Sequence, residues 1–266
     1  KIMSYDILNI FDNKHYSNLA KSNTKNYIDA KPYPHIVFDN FLPDNIAKII
    51  SSEYPELDKI NDSWKYHNHE YASRYLLEDT TLFSDNLKLF SFAISSRSFL
   101  LFLETLTGNE ALLSDPYYLG GGAMITETGG YLNVHVDFNW HQKLQAWRKC
   151  NVLFYLTPDW DESYKGNLEL WSIDGKEKIK EVSPIFNRVV VFDTTSKSYH
   201  GQPEPIKSPN NIPRRVFSAF YYSTIKNEDT DSAPHYTKYS DDKRNQQADF
   251  KTSPYAEKIK QDYIKD

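Results

Sequence analysis

Apolar positions along this chain follow two different periods, and the change comes near residue 116. Before that point, apolar residues recur every three or four positions in two stretches, which is typical of amphipathic helices. The first predicted helix lies within residues 43–55, and the second covers about 85–106, with Gly108 as its stop. The polar, mixed sequence of residues 1–30 is expected to form one or two helices on the outside of the fold.

After residue 116 the pattern changes to short runs of β-branched and aromatic residues, separated by turns rich in Gly, Pro and Asn. Such runs predict strands, and a further short strand is expected at residues 36–38, whereas residues 58–80 are expected to be irregular. Several short strands with no helix between them are typical of a sandwich or barrel such as a jelly roll. The strands predicted after residue 116 are 123–126, 133–137, 152–156, 168–171, 188–192 and 215–222.

The change of pattern also predicts how the chain is organised. We expect a single domain that is mainly β with N-terminal helices. Residues 1–115 are predicted to be a helical support, residues 116–225 the jelly-roll core, and residues 226–266 a charged C-terminal extension on the surface. The extension is expected to end in a helix near residues 255–264.

Composition and charge narrow the classes of protein to consider. Hydrophobic residues make up 39% and aromatic residues 15% of the 266 positions, which is enough for a packed core. The net charge of −5 disfavours nucleic acid as a partner, and no apolar stretch approaches the roughly 18–20 residues of a membrane span. Cys150 is the only cysteine, so an internal disulfide is excluded and a reducing, cytoplasmic compartment is expected. The oligomeric state stays open.

The residues with the clearest chemistry are His135 and Asp137, two positions apart on a predicted strand. Alternate side chains on a strand point to the same face. Two imidazoles and one carboxylate suit Fe(II) and leave adjacent coordination positions free, and His200 is the candidate third ligand. Taken alone, a His-x-Asp pair more often belongs to a hydrogen-bonded core or to the surface. The later His200 and the arginines Arg214 and Arg215 favour the metal site.

A wider pattern surrounds these residues. It consists of segments 135–139, 148–156, 166–171, 184–192, 198–201 and 214–222, together with Trp160. In this combination the chain resembles the 2-oxoglutarate/Fe(II)-dependent dioxygenase superfamily, in particular its prolyl-4-hydroxylase-like branch, over roughly residues 32–224. The resemblance implies a double-stranded β-helix (a cupin-like jelly roll), with His135, Asp137 and His200 as catalytic iron ligands.

The resemblance also implies a site for 2-oxoglutarate. An arginine suits its distal carboxylate, because the planar guanidinium makes two charge-assisted hydrogen bonds. Arg214 and Arg215 point to opposite faces of a strand. Aligning the aromatic end of this strand with the family selects Arg215, and Arg214 is then expected at the surface. Phe217 stands where the arginine motif often has serine, so cosubstrate binding is expected to be weaker or differently arranged.

Four further residues receive a role from the resemblance or from their position. Tyr155 matches a tyrosine that contacts the distal carboxylate in related prolyl hydroxylases, and Asn151 lies on the same face of the strand. Ordinary strand packing is the alternative for both. Asn139 and Arg148 lie near the metal ligands in sequence, so each is expected either to contact substrate or to brace the loop 138–148. Gly166-Asn167 departs from the two glycines that are usual in the family.

The implied activity is the hydroxylation of an unactivated C–H bond. Fe(II) is the cofactor, 2-oxoglutarate and O2 are the cosubstrates, ascorbate is an optional accessory, and succinate and CO2 are released. Related halogenases lack the carboxylate ligand, so the presence of Asp137 favours hydroxylation. The leading substrate is a prolyl residue in a peptide or protein. A free small molecule, such as an amino acid, a sugar or a biosynthetic intermediate, is the alternative, and a non-catalytic jelly-roll binding module is the alternative of another class.

Overall fold

The computed structural model describes residues 4–12, 14–227 and 233–240. Its helices are α1 (Ser4–Leu8), α2 (Lys14–Ile28), α3 (Asp44–Ser52), α4 (Asp85–Ile94) and α5 (Arg97–Thr107). Its strands are β1 (His35–Phe38), β2 (Lys65–His69), β3 (Ala72–Leu77), β4 (Leu113–Ser114), β5 (Gly122–Thr126), β6 (Leu132–Val136), β7 (Trp140–His141), β8 (Ala146–Tyr155), β9 (Leu168–Trp171), β10 (Lys178–Val182), β11 (Val189–Asp193), β12 (His200–Gln202), β13 (Arg214–Ser223) and β14 (Lys238–Tyr239).

The strands form one curled antiparallel sheet, as expected for a jelly roll. The order along the sheet is β1-β11-β8-β13-β5-β3-β6-β12-β9-β10, with β2, β4, β7 and β14 paired to single neighbours. Neighbours in this order are distant in sequence: β6 lies beside β12, and β8 beside both β11 and β13. This arrangement confirms the predicted fold class, and it brings the two halves of the predicted metal site onto adjacent strands.

The helices were predicted with one error. Residues 43–55 contain α3, but the stretch 85–106 is divided into α4 and α5, whose axes differ by 47°. The break has a local cause: the Ser96 hydroxyl accepts a hydrogen bond from the Phe99 amide and so begins a new helix. Helix α5 ends at Gly108, which has a φ of 76°, as predicted.

Within the described residues no single helix is long and apolar enough to cross a membrane, although α4 and α5 together reach that length and composition.

The helices cover one face of the sheet and form the main core with it. Phe154 on β8 and Phe217 on β13 are paired across the two strands and point towards the helices. The Phe90 ring of α4 packs edge-on against both, with centroid distances of 5.1 and 5.3 Å. Because side chains alternate along a strand, the neighbouring positions on β8 and β13 face the opposite way, into the curled sheet.

The segment 58–80, predicted to be irregular, contains the hairpin of β2 and β3. Strand β3 lies between β5 and β6 in the sheet, so residues 1–115 supply strands as well as helical support. The sequence did not predict this hairpin because β2 is mostly exposed. The sequence of β2, Lys-Tyr-His-Asn-His, lacks the alternation of apolar and polar residues that is typical of a half-buried strand.

The C-terminal part also differs from the prediction of a surface extension. Residues 233–240 return to the sheet, where β14 pairs with β6 and places Tyr239 opposite His135. His235 is buried, and its backbone N–H donates to the Asn139 side chain. The helix predicted near residues 255–264 lies outside the described residues.

Candidate metal and cosubstrate site

The three predicted metal ligands lie close together, on or directly after the adjacent strands β6 and β12. His135 on β6 and His200 on β12 are direct partners across the strand pair, and Asp137 follows β6. The Nε2 atoms of both histidines lie 3.4 Å from oxygens of the Asp137 carboxylate. One ligand atom from each residue lies within 4.8 Å of the others, which suits a single metal ion. The spacing therefore predicted the cluster, while the role of its members as iron ligands stays a prediction.

Both imidazole rings are oriented by the backbone. The Nδ1 atom of His135 lies 2.7 Å from the carbonyl oxygen of Asn133, and that of His200 lies 2.9 Å from the carbonyl oxygen of Ser198. A carbonyl only accepts, so each Nδ1 carries a proton and each Nε2 is the nitrogen that faces the Asp137 carboxylate. Metal-binding histidines are commonly fixed in this way.

The protonation states also fit a metal ion. Burial lowers the pKa of His200 to about 4, so the ring is neutral near pH 7. Burial alone would raise the pKa of Asp137, but the Arg148 guanidinium and the two histidines hold it well below its usual value. Neutral imidazoles and an ionised carboxylate are the forms that bind metal. The residues present therefore fit an Fe(II) ion.

Arg148 and Asn151 hold the Asp137 carboxylate in place. The Asn151 amide donates to Asp137 Oδ2 at 2.8 Å and accepts from Arg148 Nε at 2.9 Å, and Arg148 Nη2 lies 3.0 Å from the same Oδ2. The Arg148 guanidinium also lies 3.5 Å from the Phe220 ring centre. Both residues line the cavity beside the cluster. Asn151 was predicted to line the cosubstrate slot. It does line the cavity, and its side-chain amide binds the carboxylate of Asp137, a candidate metal ligand.

This inner cavity extends from the histidines into the curled sheet and has a volume of about 70 Å³. It is lined by Arg74, Gly120, Met124, His135, Asp137, Arg148, Asn151, Leu153, Phe192, His200, Arg214, Val216, Ser218 and Phe220. The apolar members come from β5, β8, β11 and β13. The polar members are mainly cationic or hydrogen-bond donors, which favours an anionic ligand.

The prediction that Arg215 faces this cavity is wrong, and Arg214 takes the position. Arg215 lies on the helix-facing side of β13, and its Nη2 pairs with Glu56 at 3.1 Å. The buried Arg214 lines the cavity, with its guanidinium 5.1 Å from the Tyr155 ring centre. The alignment of strand β13 with the family pattern was displaced by one residue. Such a displacement assigns each side chain of the strand to the wrong face of the sheet. Ser218 lies on the same face as Arg214, so the cavity does contain a serine.

Tyr155 and Arg214 each have a buried polar atom without a hydrogen bond to any described residue. These atoms are the Tyr155 hydroxyl oxygen and the Arg214 Nε. Burial raises the pKa of the phenol, which therefore keeps its proton and is a donor. An arginine stays charged in proteins. A phenol O–H and a guanidinium beside one another match a carboxylate, which supports the role expected of Tyr155.

Two polar residues of the cavity, Ser218 and Arg74, were not predicted from the sequence. Ser218 has a buried hydroxyl without a partner among the described residues, and the alternation of β13 could have found it once Arg214 was chosen. Arg74 comes from β3, in the segment expected to be irregular, so no strand pattern pointed to its direction.

Asn139 does not line either of the two cavities at the site. Its side chain donates to the carbonyl of Ala233 at 3.3 Å and accepts from the His235 amide at 2.8 Å. Asn139 therefore ties residues 233–240 to the loop after β6, which supports the bracing role rather than the substrate contact. Arg148 contributes to the same brace, because its backbone N–H donates to the Asn139 carbonyl.

An outer pocket of about 440 Å³ adjoins the inner cavity, and Gly120 lines both. Four segments of the chain form its walls, and much of the surface is aromatic. The lining residues are His67, Glu78, Tyr117, Leu119, Gly120, Phe138, Trp140, His141, Gln142, Lys143, His235, Tyr236 and Thr237. A mainly apolar pocket with a few polar groups, beside the candidate metal site, is the natural place for a substrate.

Comparison with known proteins agrees with the chemistry of the cavity. Residues 121–223 match the model of the 2OG-Fe(II) oxygenase superfamily, a range that includes the three candidate ligands, Tyr155 and Arg214. The fold is similar to that of a prolyl-4-hydroxylase from Pseudomonas putida, with a TM-score of 0.56 and 14% identity, over 77% of this chain and 98% of that one.

Two further prolyl hydroxylases have a similar fold. One is from Phytophthora capsici, with a TM-score of 0.51 and 17% identity, over 84% of this chain and 66% of that one. The other is from Trichoplax adhaerens in complex with a hypoxia inducible factor peptide, with a TM-score of 0.50 and 15% identity, over 79% of this chain and 91% of that one. At these identities the likeness concerns the jelly-roll fold.

Proposed function

We propose that this chain, whose residues 121–223 match the model of the 2OG-Fe(II) oxygenase superfamily, is an oxygenase of this kind. It hydroxylates an unactivated C–H bond with Fe(II), 2-oxoglutarate and O2, and its leading substrate is a prolyl residue in a peptide or protein. One observation carries the proposal. The metal-binding atoms of His135, Asp137 and His200 share a cavity with Arg214, whose buried Nε has no hydrogen-bond partner among the described residues and whose guanidinium lies near Tyr155.

The residues divide into three tasks. His135, Asp137 and His200 would hold the iron, which with 2-oxoglutarate and O2 supplies the oxidation that yields a hydroxyl group, succinate and CO2. Arg214 and Tyr155 would bind the distal carboxylate of 2-oxoglutarate. The walls of the inner cavity keep water away from the reacting groups, which protects the chemistry from side reactions.

The ligand set is also held in a fixed geometry. The carbonyl groups of Asn133 and Ser198 fix the rotation of the two imidazoles, and Arg148 with Asn151 fixes the Asp137 carboxylate. Such outer contacts orient metal ligands and hold their protonation states. Little rearrangement of the chain would be needed when the metal binds.

The choice of a prolyl residue rests on the prolyl-4-hydroxylase-like pattern of the sequence and on the fold. The outer pocket supports a second candidate, a free small molecule. Its volume of about 440 Å³ falls in the range of small-molecule sites, roughly 300–1,000 Å³. Residues 235–237 form part of its wall, which limits the length of any ligand inside it.

The proposal is tested by succinate formation from 2-oxoglutarate in the presence of Fe(II) and ascorbate, with and without a panel of proline-containing peptides. Stimulation by a peptide, together with the gain of one oxygen atom on its proline, supports prolyl hydroxylation. Turnover that peptides do not stimulate, but that amino acids or sugars do, supports the small-molecule alternative.

Two variants test whether the candidate metal ligands are needed for turnover. Asp137→Ala and His200→Ala should abolish succinate formation while the circular-dichroism spectrum stays that of the parent. Glu204→Ala, which changes a partly exposed carboxylate that pairs with Lys207, is the control and should keep full turnover. A wild-type protein that binds neither Fe(II) nor 2-oxoglutarate would instead be the non-catalytic binding module.

A further inference from the structure

Arg74 is the least expected residue of the inner cavity. It lies on β3, and its side chain lines the cavity together with the candidate metal ligands and Arg214. Its Nε atom is buried and has no hydrogen-bond partner among the described residues. Its Nη1 atom faces the sulfur of Met124 at 3.7 Å, and a thioether is a weak acceptor. The guanidinium is therefore held in place without a strong partner.

The charges around the cavity are unbalanced. Three guanidinium groups line it, those of Arg74, Arg148 and Arg214. Arg148 is paired with the Asp137 carboxylate, whereas Arg74 and Arg214 form no ion pair with any described residue. Burial lowers the pKa of both, which reflects the loss of solvation of their charged forms. Two uncompensated cations beside a small cavity favour a ligand that carries two negative charges.

The size of the cavity limits the number of ligands. At roughly 10–15 Å³ for each water molecule, a cavity of about 70 Å³ holds about five to seven waters, which is the space of one small dicarboxylate. Arg74 and Arg214 extend into this space from β3 and β13, the two strands that flank β5. Two strand spacings separate these strands, about 9–10 Å. The two cations therefore approach a single ligand from different sides.

We propose that Arg74 is a second 2-oxoglutarate-binding residue: its guanidinium binds one carboxylate of the cosubstrate, and Arg214 with Tyr155 binds the other. The inference rests on the proposed function and goes beyond it, because the matched segment 121–223 does not contain Arg74. It also gives a role to β3, the strand of the β2–β3 hairpin that lies between β5 and β6 in the sheet: β3 carries this cation to the cavity.

The test measures binding rather than turnover. The protein is loaded with Mn(II) under nitrogen, and the Kd of 2-oxoglutarate is measured by isothermal titration calorimetry for the wild type, Arg74→Met, Arg214→Met and Arg97→Met. Methionine keeps the length and apolar stem of the side chain. Arg97 is the control, because its exposed guanidinium pairs with Glu104 on the surface. The Kd of Mn(II) itself is measured for each variant.

Arg74→Met should weaken 2-oxoglutarate binding at least tenfold, as should Arg214→Met, while Arg97→Met stays within twofold of the wild type. The Mn(II) affinity of Arg74→Met should not fall, because the variant removes a positive charge and no ligand. A Kd for 2-oxoglutarate within twofold of the wild type in Arg74→Met, with Arg214→Met weakened, overturns the inference and leaves the proposed function intact.

Two further outcomes have a different meaning from an unchanged Kd in Arg74→Met. A wild-type protein that binds Mn(II) but no 2-oxoglutarate overturns the proposed function together with the inference. If Arg74→Met does not fold, as judged by circular dichroism, Arg74→Lys gives the same decision. Lysine keeps the charge but loses the planar pair of donors, so a weakening of threefold or more is expected, and no weakening contradicts the inference.

Discussion

The two faces of the β8–β13 pair are built from the same two strands and have opposite properties. On the helix side, Phe154 and Phe217 lie opposite each other, are fully buried, and both pack against the Phe90 ring. On the cavity side, one position along each strand, Tyr155 and Ser218 keep buried hydroxyl groups without a partner among the described residues. Arg214, on the same side, is a buried cation without an ion pair among them.

The difference shows how one pair of strands serves two purposes. Packed aromatic rings stabilise the fold, whereas an unpartnered buried polar group costs about 1–3 kcal/mol. Such groups on both faces would destabilise the sheet. On the helix side of this strand pair only the Arg215 Nε has no hydrogen bond among the described residues, and its guanidinium already pairs with Glu56. A ligand that satisfies the groups on the cavity side regains that free energy on binding. Substitutions on the two faces should therefore separate stability from affinity.

The largest effect is expected on the helix side. Phe154→Ala should lower the free energy of unfolding by about 3–5 kcal/mol, because it leaves a cavity between β8 and the helices. Urea denaturation measures this change. Leu101→Ala, at a half-exposed position of α5, is the control and should cost less than half as much. A loss below about 1 kcal/mol for Phe154→Ala would mean that the helix face is not the main source of stability.

Arg214→Met should show the reverse behaviour. Loss of a charge-assisted pair of hydrogen bonds should weaken 2-oxoglutarate binding by about 10- to 100-fold, which corresponds to about 1.4–2.8 kcal/mol. The free energy of unfolding without ligand should be unchanged or higher, because a buried cation without a partner is removed. Calorimetry on the Mn(II) protein and urea denaturation provide the two values. A large fall in stability with an unchanged Kd would contradict this expectation, because it would show that Arg214 stabilises the fold and does not bind 2-oxoglutarate.

Tyr155→Phe removes only a hydroxyl group and tests the same face with a smaller change. A single neutral donor contributes about 0.5–1.5 kcal/mol, so the Kd of 2-oxoglutarate should rise about two- to thirteenfold. The melting temperature of the ligand-free protein should not fall, since the hydroxyl has no partner among the described residues. If the melting temperature falls and the Kd is unchanged, Tyr155 is a packing residue.

Arg215→Met should have the smallest effect. Its guanidinium pairs with a mostly exposed Glu56 carboxylate, and such pairs contribute about 0–1 kcal/mol. We expect a Kd of 2-oxoglutarate within twofold of the wild type and a loss of stability below about 1 kcal/mol. If the Kd rises tenfold here and stays constant in Arg214→Met, the cosubstrate arginine is Arg215 after all.

The metal cluster and most strands were predictable because their signals are local. Alternation fixes the common direction of His135 and Asp137, and the apolar run before His200 marks a strand that must lie in the sheet. The arginine was harder, because Arg214 and Arg215 are adjacent and only the register of the strand separates them. Phe217 held the missing information: as a large apolar residue it faces the helices, and Arg215 lies two positions before it on the same side.

Other features depend on contacts between distant parts of the chain. Strand β2 has no apolar face of its own, and the position of β3 is set by its pairing with β5 and β6. Likewise, the burial of His235 depends on Asn139, about a hundred positions earlier in the chain. A sequence pattern over about ten residues does not indicate which distant segment will pair with it. The direction of Arg74 and the path of residues 233–240 were therefore not predicted.

The pairing of β14 with β6 has a consequence for how a peptide would be recognised. Many proteins bind peptides by letting them extend a sheet at an open edge. Beside His135 this edge is closed, because Lys238 and Tyr239 already pair with β6 and the Ser240 amide donates to the Val134 carbonyl. A peptide reaching the metal site could not dock there through its backbone as an added strand. Its selection would depend on side chains that fit the outer pocket, so the identity of a few residues would matter more than the length of the peptide.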